Sequence, residues 1–454
     1  MTDHPRSLDT IAAMLLDAAR AAGADAADAM VLRGSSISIE VRGQALEMAE
    51  RSEAADLGLR VFVGKRQAVV SASGTSATAD DRLPDLAASA VAMARAAPED
   101  IYAGIADPDQ LSTRRNDAGL DLDDGAEMPS PDALRDAAFA AEAAALSVPG
   151  VTQSDSAHAA AGRYEVVLAA SNGFLGGYTR TSHALSATAI AGTGTGMERD
   201  GDGDGRAHRV DLRSPEEIGR SAGERAVSLL GARQPKTGTY PVLFDERIAS
   251  SLIGHLLSAA NGAAVARGST WLADKLDEQV LPEAFSIVED PHRPRISGSR
   301  PFDAEGLPTV KRTIVDKGVL TGWTLDLASA RKLGMQSTGN AARSTSGTPS
   351  PANWNVAMTQ GAQSRADLLA DMGTGLLVTS MIGSTINPNT GDYSRGASGF
   401  WVENGQIAYP VNECTLAGNL KDMLLRIVPA NDARTWLSRV VPSILIDGMT
   451  IAGQ

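Results

Sequence analysis

The chain has 454 residues, 43% of them hydrophobic, which is enough to bury substantial cores and suggests two or three domains. Its net charge of −14 comes without a cluster of Lys or Arg, so its surface repels phosphate backbones and argues against direct nucleic-acid binding. One cysteine excludes an internal disulfide framework and fits a reducing cytoplasm; no apolar run reaches membrane-spanning length, and Met1 to Arg20 is acidic and amphipathic, unlike a signal peptide.

Residues 7–22 read as a helix, with Leu8, Ile11, Leu15 and Ala18 on one face and Gly23 closing it. Between Ala27 and Ser73 four short strands are expected as an antiparallel meander: 30–32, 37–41, 57–63 and 68–72. Leu83 to Ala97 returns to helix. Glu99 to Met128 is a loop-rich acidic connector, and 131–147 an alanine-rich helix. A second set of strands runs from Tyr164–Leu168 through His183–Ile190. Asp200, Asp202, Asp204, Gly205 and Asp211 match the calcium-loop template with Asp in the last place. The template needs flanking helices, and the strand-like residues before it favour a solvated hairpin tip. Ser214-Pro-Glu-Glu217 enters a helix over 214–231.

Pro235-Lys-Thr-Gly238 reads as the linker into a second half that holds all five tryptophans. The fold class is therefore α+β. An N-terminal helix and antiparallel-meander region, 1–234, divides further at about 1–100 and 129–234. A strand-rich C-terminal domain, 237–454, follows with a buried helix. That helix, Arg247 to Gly262, follows the strand Tyr240–Phe244. Asp245 is its N-cap and Asn261-Gly262 a left-handed stop; Ile248, Leu252, Leu256 and Ala259 form its apolar stripe. His255 is its polar oddity, most simply a core or rim histidine with a hydrogen-bond partner. Hairpins are expected at Asp316-Lys-Gly318 and Asn404-Gly405, and short helices at 326–333 and 365–372, stopped by Gly334 and Gly373. Glycine and serine mark long loops at 337–350 and 383–399. No G-x-S-x-G elbow, phosphate loop or activated cysteine appears; Cys414 reads as a buried small hydrophobe.

The second half carries Glu289-Asp-Pro-His292, Ser299-Arg-Pro-Phe-Asp-Ala-Glu-Gly306, Ala330-Arg-Lys-Leu-Gly334 and Leu416-Ala-Gly-Asn-Leu-Lys-Asp-Met423. Most specific is Gly391-Asp-Tyr-Ser-Arg-Gly-Ala-Ser-Gly-Phe-Trp-Val-Glu-Asn-Gly405. Over roughly 237–454 the chain resembles the TldD/PmbA family, metallopeptidase-like proteins also labelled modulators of DNA gyrase. It is closer to the PmbA (TldE) branch. In the TldD branch, the resemblance implies, this helix bears HExxxH, with a third zinc ligand, a cysteine, from near the C-terminus. Laid on this sequence, the motif falls on Ile253, Gly254 and Ser258, none of which replaces its ligand or base, and His255 takes a spacer position. Residues 430–454 contain neither Cys nor His. Independently, residues five apart on a helix lie about 140° apart, so a working motif would need a local bulge.

The resemblance implies a non-catalytic subunit that binds no metal or cofactor of its own. It would pair with a TldD-type chain carrying zinc, enclosing the partner's active site and holding the substrate strand. The complex would trim unfolded peptides, including ribosomal peptide precursors and antitoxin-like substrates, in the cytoplasm. His255, Tyr393, Ser394 and Arg395 are the substrate-binding candidates, and the long loops would wall a peptide channel. Two alternatives stay open: a stand-alone homo-oligomeric peptide-binding scaffold, such as a homodimer, and a hydrolase with an unrecognised site.

Overall fold

The computed structural model describes residues 6–74 and 82–454; Met1 to Pro5 of the amphipathic N-terminal stretch lie outside the described residues. Helix α1 (Leu8–Ala21) starts at Ser7, whose hydroxyl accepts from the Thr10 amide, and it buries Leu8, Ile11 and Leu15. Three long strands follow instead of four short ones: β1 (Ala26–Arg42), β2 (Ala45–Val63) and β3 (Arg66–Ser73). Arg33 to Ser36 reads as a break but continues β1, because partners on both sides satisfy its backbone. Gly34 faces Ala54 on one flank and Tyr164 on the other.

Helices α2 (Leu83–Ala96) and α3 (Pro131–Leu146) flank the irregular connector. Strands β4 (Val151–Ala170), β5 (Leu175–Ala191) and β6 (Glu198–Arg206) precede α4 (Pro215–Ser228). The six strands form one antiparallel sheet, ordered β3-β2-β1-β4-β5-β6. One core lies under α1 and α2, around Leu15, Leu59 and Val91. Another lies under α3 and α4, around Ile39, Ala138 and Ile218. The β1–β4 pairing joins the strands of the two segments.

The Asp-Gly repeat is not a hairpin tip. It is the edge strand β6, and the period of two places Asp200, Asp202 and Asp204 on one face. Arginines occupy that face. Asp202 takes Arg213 and Arg225, both at 2.9 Å, Asp204 takes Arg206 at 3.0 Å, and Asp200 takes Arg247 at 3.3 Å. Burial alone would raise the Asp202 carboxyl, yet Arg213 and Arg225 hold it down to about 2. Asp211, the template's last position, reaches Arg295 instead.

The second half begins with β7 (Gly238–Phe244), α5 (Glu246–Ala259) and α6 (Gly262–Ala266). Asn261-Gly262 is not a left-handed stop: Ala260 ends α5, and the Asn261 side chain accepts from the Ala263 amide to start α6. Then come β8 (Ile287–Glu289), β9 (Arg312–Asp316), β10 (Val319–Leu320), α7 (Leu327–Leu333), β11 (Ala341–Ala342), β12 (Ser350–Pro351) and β13 (Val356–Met358). Helix α8 (Arg365–Met372) leads into β14 (Gly375–Ile386), β15 (Asp392–Glu403) and β16 (Gln406–Asn419). The chain ends with α9 (Leu420–Leu424), β17 (Ile427–Pro429), β18 (Arg439–Val440) and β19 (Ile444–Ala452).

The order β16-β15-β14-β7-β19 closes on itself through β16–β19, making a barrel, with β17 attached to β19. A smaller sheet runs β10-β9-β8-β13-β18. Leu252 and Leu256 of α5 share one core with Val242 and Val378 of the barrel and with Ile287 and Val356 of the smaller sheet. The turns at Lys317-Gly318 and Asn404-Gly405 take positive φ as expected. The stretch 383–399 is not a loop: most of it is β14 and β15, joined by a short turn at 387–391.

The two halves dock closely. A Cβ on Gly58 would stand 2.0 Å from the Thr345 carbonyl oxygen, so only glycine lets the 337–350 segment cross β2. Beside that crossing Asp28 of β1 accepts from Arg60 of β2 at 2.6 and 2.9 Å, and from Arg343.

Candidate functional site

Helix α5 leaves the barrel at Asp245, whose side chain caps it and also pairs with Arg365 at 2.9 Å. Ala249, Leu252, Ile253, Leu256 and Leu257 turn into the core. Arg247, Ser251, His255 and Ser258 follow at steps of four, four and three, which aligns them along one side. This polar stripe is the candidate site.

The candidate histidine has no hydrogen-bond partner on Nε2, against the simplest expectation for it. Burial, and then the charge of Arg395, push its pKa below the ordinary range, so the imidazole is neutral at neutral pH. Its ring meets Tyr393 edge to face, 6.1 Å between centroids. Tyr393 is almost fully buried and donates to Met381 Sδ at 3.2 Å. Burial raises its phenol to about 12, which Arg395 only partly offsets. Arg395, two residues along β15 and so on the same face, donates from Nε to the Gly383 carbonyl at 2.7 Å. The intervening Ser394 belongs to the opposite face. Three of the four candidates therefore converge.

Ser251 was not singled out by the sequence, although its place four residues before His255 marks it as a neighbour. Its buried hydroxyl also lacks a partner. Two adjacent groups, both unpartnered, do not form a serine–histidine dyad. Such a pair does occur in the N-terminal sheet, where Ser38 Oγ lies 2.8 Å from His158 Nε2. No carboxylate orients that imidazole among the described residues, so it lacks the third member of a catalytic triad.

The motif positions are unsuited to zinc. Ile253 is 1% exposed, inside the core, whereas Ser258 is exposed on another side of α5. The helix is regular throughout, with no π-bulge to bring the two together. Gly254 bears no base, and a Cβ there would stand 2.9 Å from the guanidinium tip of the exposed, flexible Arg439 side chain. Cys414 is buried and donates to the Ala397 carbonyl at 3.2 Å; burial raises its thiol to about 11. Among the described residues, no three His, Cys, Asp or Glu side chains gather as a metal cluster. The donor set does not fit a zinc ion. What the stripe offers is a neutral imidazole, two hydroxyls and an arginine.

Comparison with known proteins agrees with the architecture. Three domain descriptions match in order: PmbA/TldA metallopeptidase domain 1 over 27–94, the central domain over 124–230 and the C-terminal domain over 237–453. The class is thus a three-segment metallopeptidase-type chain. It belongs to the TldD/PmbA family. It is 39% identical to the metalloprotease PmbA of Escherichia coli O157:H7, covering 95% of this chain and 93% of that one. It is 35% identical to a PmbA homologue of Haemophilus influenzae, covering 97% and 94%. A Bacteroides thetaiotaomicron protein, named as a candidate modulator of DNA gyrase, superposes with a TM-score of 0.90 at 27% identity, covering 98% of both chains. TldE from Thermococcus kodakarensis shares the fold, with a TM-score of 0.84 at 20% identity, covering 98% of this chain and all of that one.

Proposed function

We propose that the chain is the non-catalytic subunit of a TldD-type zinc metallopeptidase, acting with a metal-bearing partner on unfolded peptides in the cytoplasm. The observation that carries this reading is α5 itself. At the positions where the family places two ligands and a base, this helix has a core isoleucine, a glycine covered by Arg439 and an exposed serine. The metal and its hydrolytic chemistry then belong to the partner. The α5 face around His255, whose imidazole packs edge to face on the buried Tyr393, and the neighbouring Arg395 of β15 supply hydrogen bonds to the substrate strand. Its net charge of −14 argues against direct contact with nucleic acid. Among the described residues no helix is long and apolar enough to cross a membrane.

The relatives named metalloproteases support a competing reading, in which the chain cleaves peptides by itself. Co-expression with a TldD-type chain decides between them. Peptidase activity on an unfolded peptide is measured for each chain alone and for both together. Activity only in the pair, abolished by chelator, is expected. Robust, chelator-insensitive cleavage by this chain alone would overturn the proposal.

A further inference from the structure

The Ser299–Gly306 motif plays no part in the α5 site, yet it builds a second cavity. Where the N-terminal sheet meets the second half lies a space of about 270 Å³, walled by Arg180, Arg300, Arg343, Tyr178, Phe302 and Trp354. The three arginines are unusually poor in acceptors. Arg180 donates from Nη2 to the Ser297 and Ser299 carbonyls at 2.9 and 3.4 Å. Arg300 donates from Nη1 to the same two carbonyls at 3.1 and 2.7 Å. Two cations thus share two neutral oxygens, and neither forms an ion pair with a carboxylate among the described residues. Arg343, 2% exposed, gives Nη1 to Asp28 and leaves Nε and Nη2 without a partner. The acid on the wall, Asp303, forms no ion pair with these arginines among the described residues; its oxygens accept the backbone amides of Glu305, Leu307 and Ala341 at 2.9 to 3.0 Å.

Arg180 and Arg300 are half-buried, and an anion between guanidinium groups that lack counter-charges gains two-pronged, charge-assisted hydrogen bonds. Burial, and to a lesser degree repulsion from Arg300, lower the Arg180 pKa to about 10. On a chain carrying −14 overall, such a point concentrates anions. The rest of the wall is aromatic. Tyr178 and Phe302 meet edge to face at 5.8 Å, and Trp354 is fixed by its indole N–H to the Gly339 carbonyl at 3.1 Å. The volume falls just below the usual range of about 300–1,000 Å³ for drug-sized ligands, so it suits a body the size of one residue.

We propose that this cavity binds a carboxylate carried on an aromatic or apolar body of single-residue size. The carboxylate bridges Arg180 and Arg300, and the body lies against Tyr178, Phe302 and Trp354. The ligand is either a free small acid or the C-terminal residue of a peptide, since both present the same chemistry. The site needs no metal-bearing partner.

Calorimetric titration of the full chain tests this with four probes: N-acetylphenylalanine, its amide, a short peptide ending in phenylalanine, and that peptide amidated. At least one free acid is expected to saturate and to bind at least tenfold more tightly than its amide. If N-acetylphenylalanine alone does so, the source is a small acid; if the free peptide does, it is a chain terminus. R300Q and R180Q are expected to cut the acid's affinity at least tenfold while changing the amide's less than twofold. The acid-to-amide ratio on the unaltered protein decides the matter even if both variants misfold. No saturable binding by either acid, or equal binding by acid and amide, would overturn the proposal.

Discussion

Glu305 is the residue whose ionisation costs the fold most visibly. It is fully enclosed, one oxygen accepts the Leu327 amide at 2.8 Å, and Arg60 stands 3.9 Å from the other, too far for a hydrogen bond. Burial, and then the charge of Asp303, raise its pKa to about 8. A carboxyl raised in the folded state binds a proton that the unfolded chain has already released. Its contribution to stability is therefore complete below the ordinary value near 4.5 and is lost as pH rises through about 8. Glu305→Gln keeps the acceptor and removes the titration. We expect urea midpoints of the wild type to fall between about pH 5 and about pH 8 more steeply than those of the variant. Parallel pH profiles for the two proteins would refute this. Asp202 works in the opposite sense: held down to about 2, it stabilises above its ordinary value and loses that contribution only in strong acid.

At the scale of the element, α5 shows why motif residues alone do not make a site. Ile253→His, Gly254→Glu and Ser258→His would restore the letters of the family motif. The first buries an imidazole where isoleucine now packs, the second displaces Arg439, and the third projects from another side of a regular helix. Residues 430–454 contain neither Cys nor His, and Cys414 is tied to Ala397 inside the barrel. We expect the triple variant to be less stable by about 3 kcal/mol and inactive with added zinc. Peptidase activity without a further cysteine would show that the third ligand comes from elsewhere. Elements with their own caps were legible in advance: α7 begins at Asp326 and ends at Gly334, α8 at Ser364 and Gly373. The stretch 383–399 was not, because its glycines and serines have the composition of a loop. Gly399 is small for a packing reason instead: a Cβ there would stand 2.0 Å from the Leu377 carbonyl oxygen across the β14–β15 ladder.

At the scale of the molecule, the two halves are held by a charge network as well as by close backbone approach. Asp28 is the shared acceptor of Arg60 on its own sheet and Arg343 from the second half, all three nearly free of solvent. Burial opposes its charge, but the two arginines together hold its carboxyl below the usual range. Asp28→Asn would leave two buried guanidinium groups without that charge, a loss of about 3–5 kcal/mol. Calorimetry is expected to show a melting temperature several degrees lower, with unfolding of the N-terminal sheet separating from that of the barrel. An unchanged single transition would mean that the halves are held by apolar docking alone. The ion pair of Asp200 with Arg247 ties the sheet edge to the start of α5, so the same loss of docking would reach the candidate site.

The sequence by itself determined the α+β class, most of the helix caps and the two tight turns. The caps and turns rest on local chemistry: a side chain that accepts a backbone amide, or a residue tolerant of positive φ. The convergence of His255, Tyr393 and Arg395, and the exclusion of Ser394 from it, needed the register of β15 against a helix more than a hundred residues earlier. The run from Arg33 to Ser36 became strand because neighbours on both sides took up its hydrogen bonds. The Asp-Gly repeat became an edge strand because arginines from α4 and α5 met its carboxylates. Only the tertiary structure decided these, since the satisfying partner in every case is distant in the chain and leaves no mark on the local pattern.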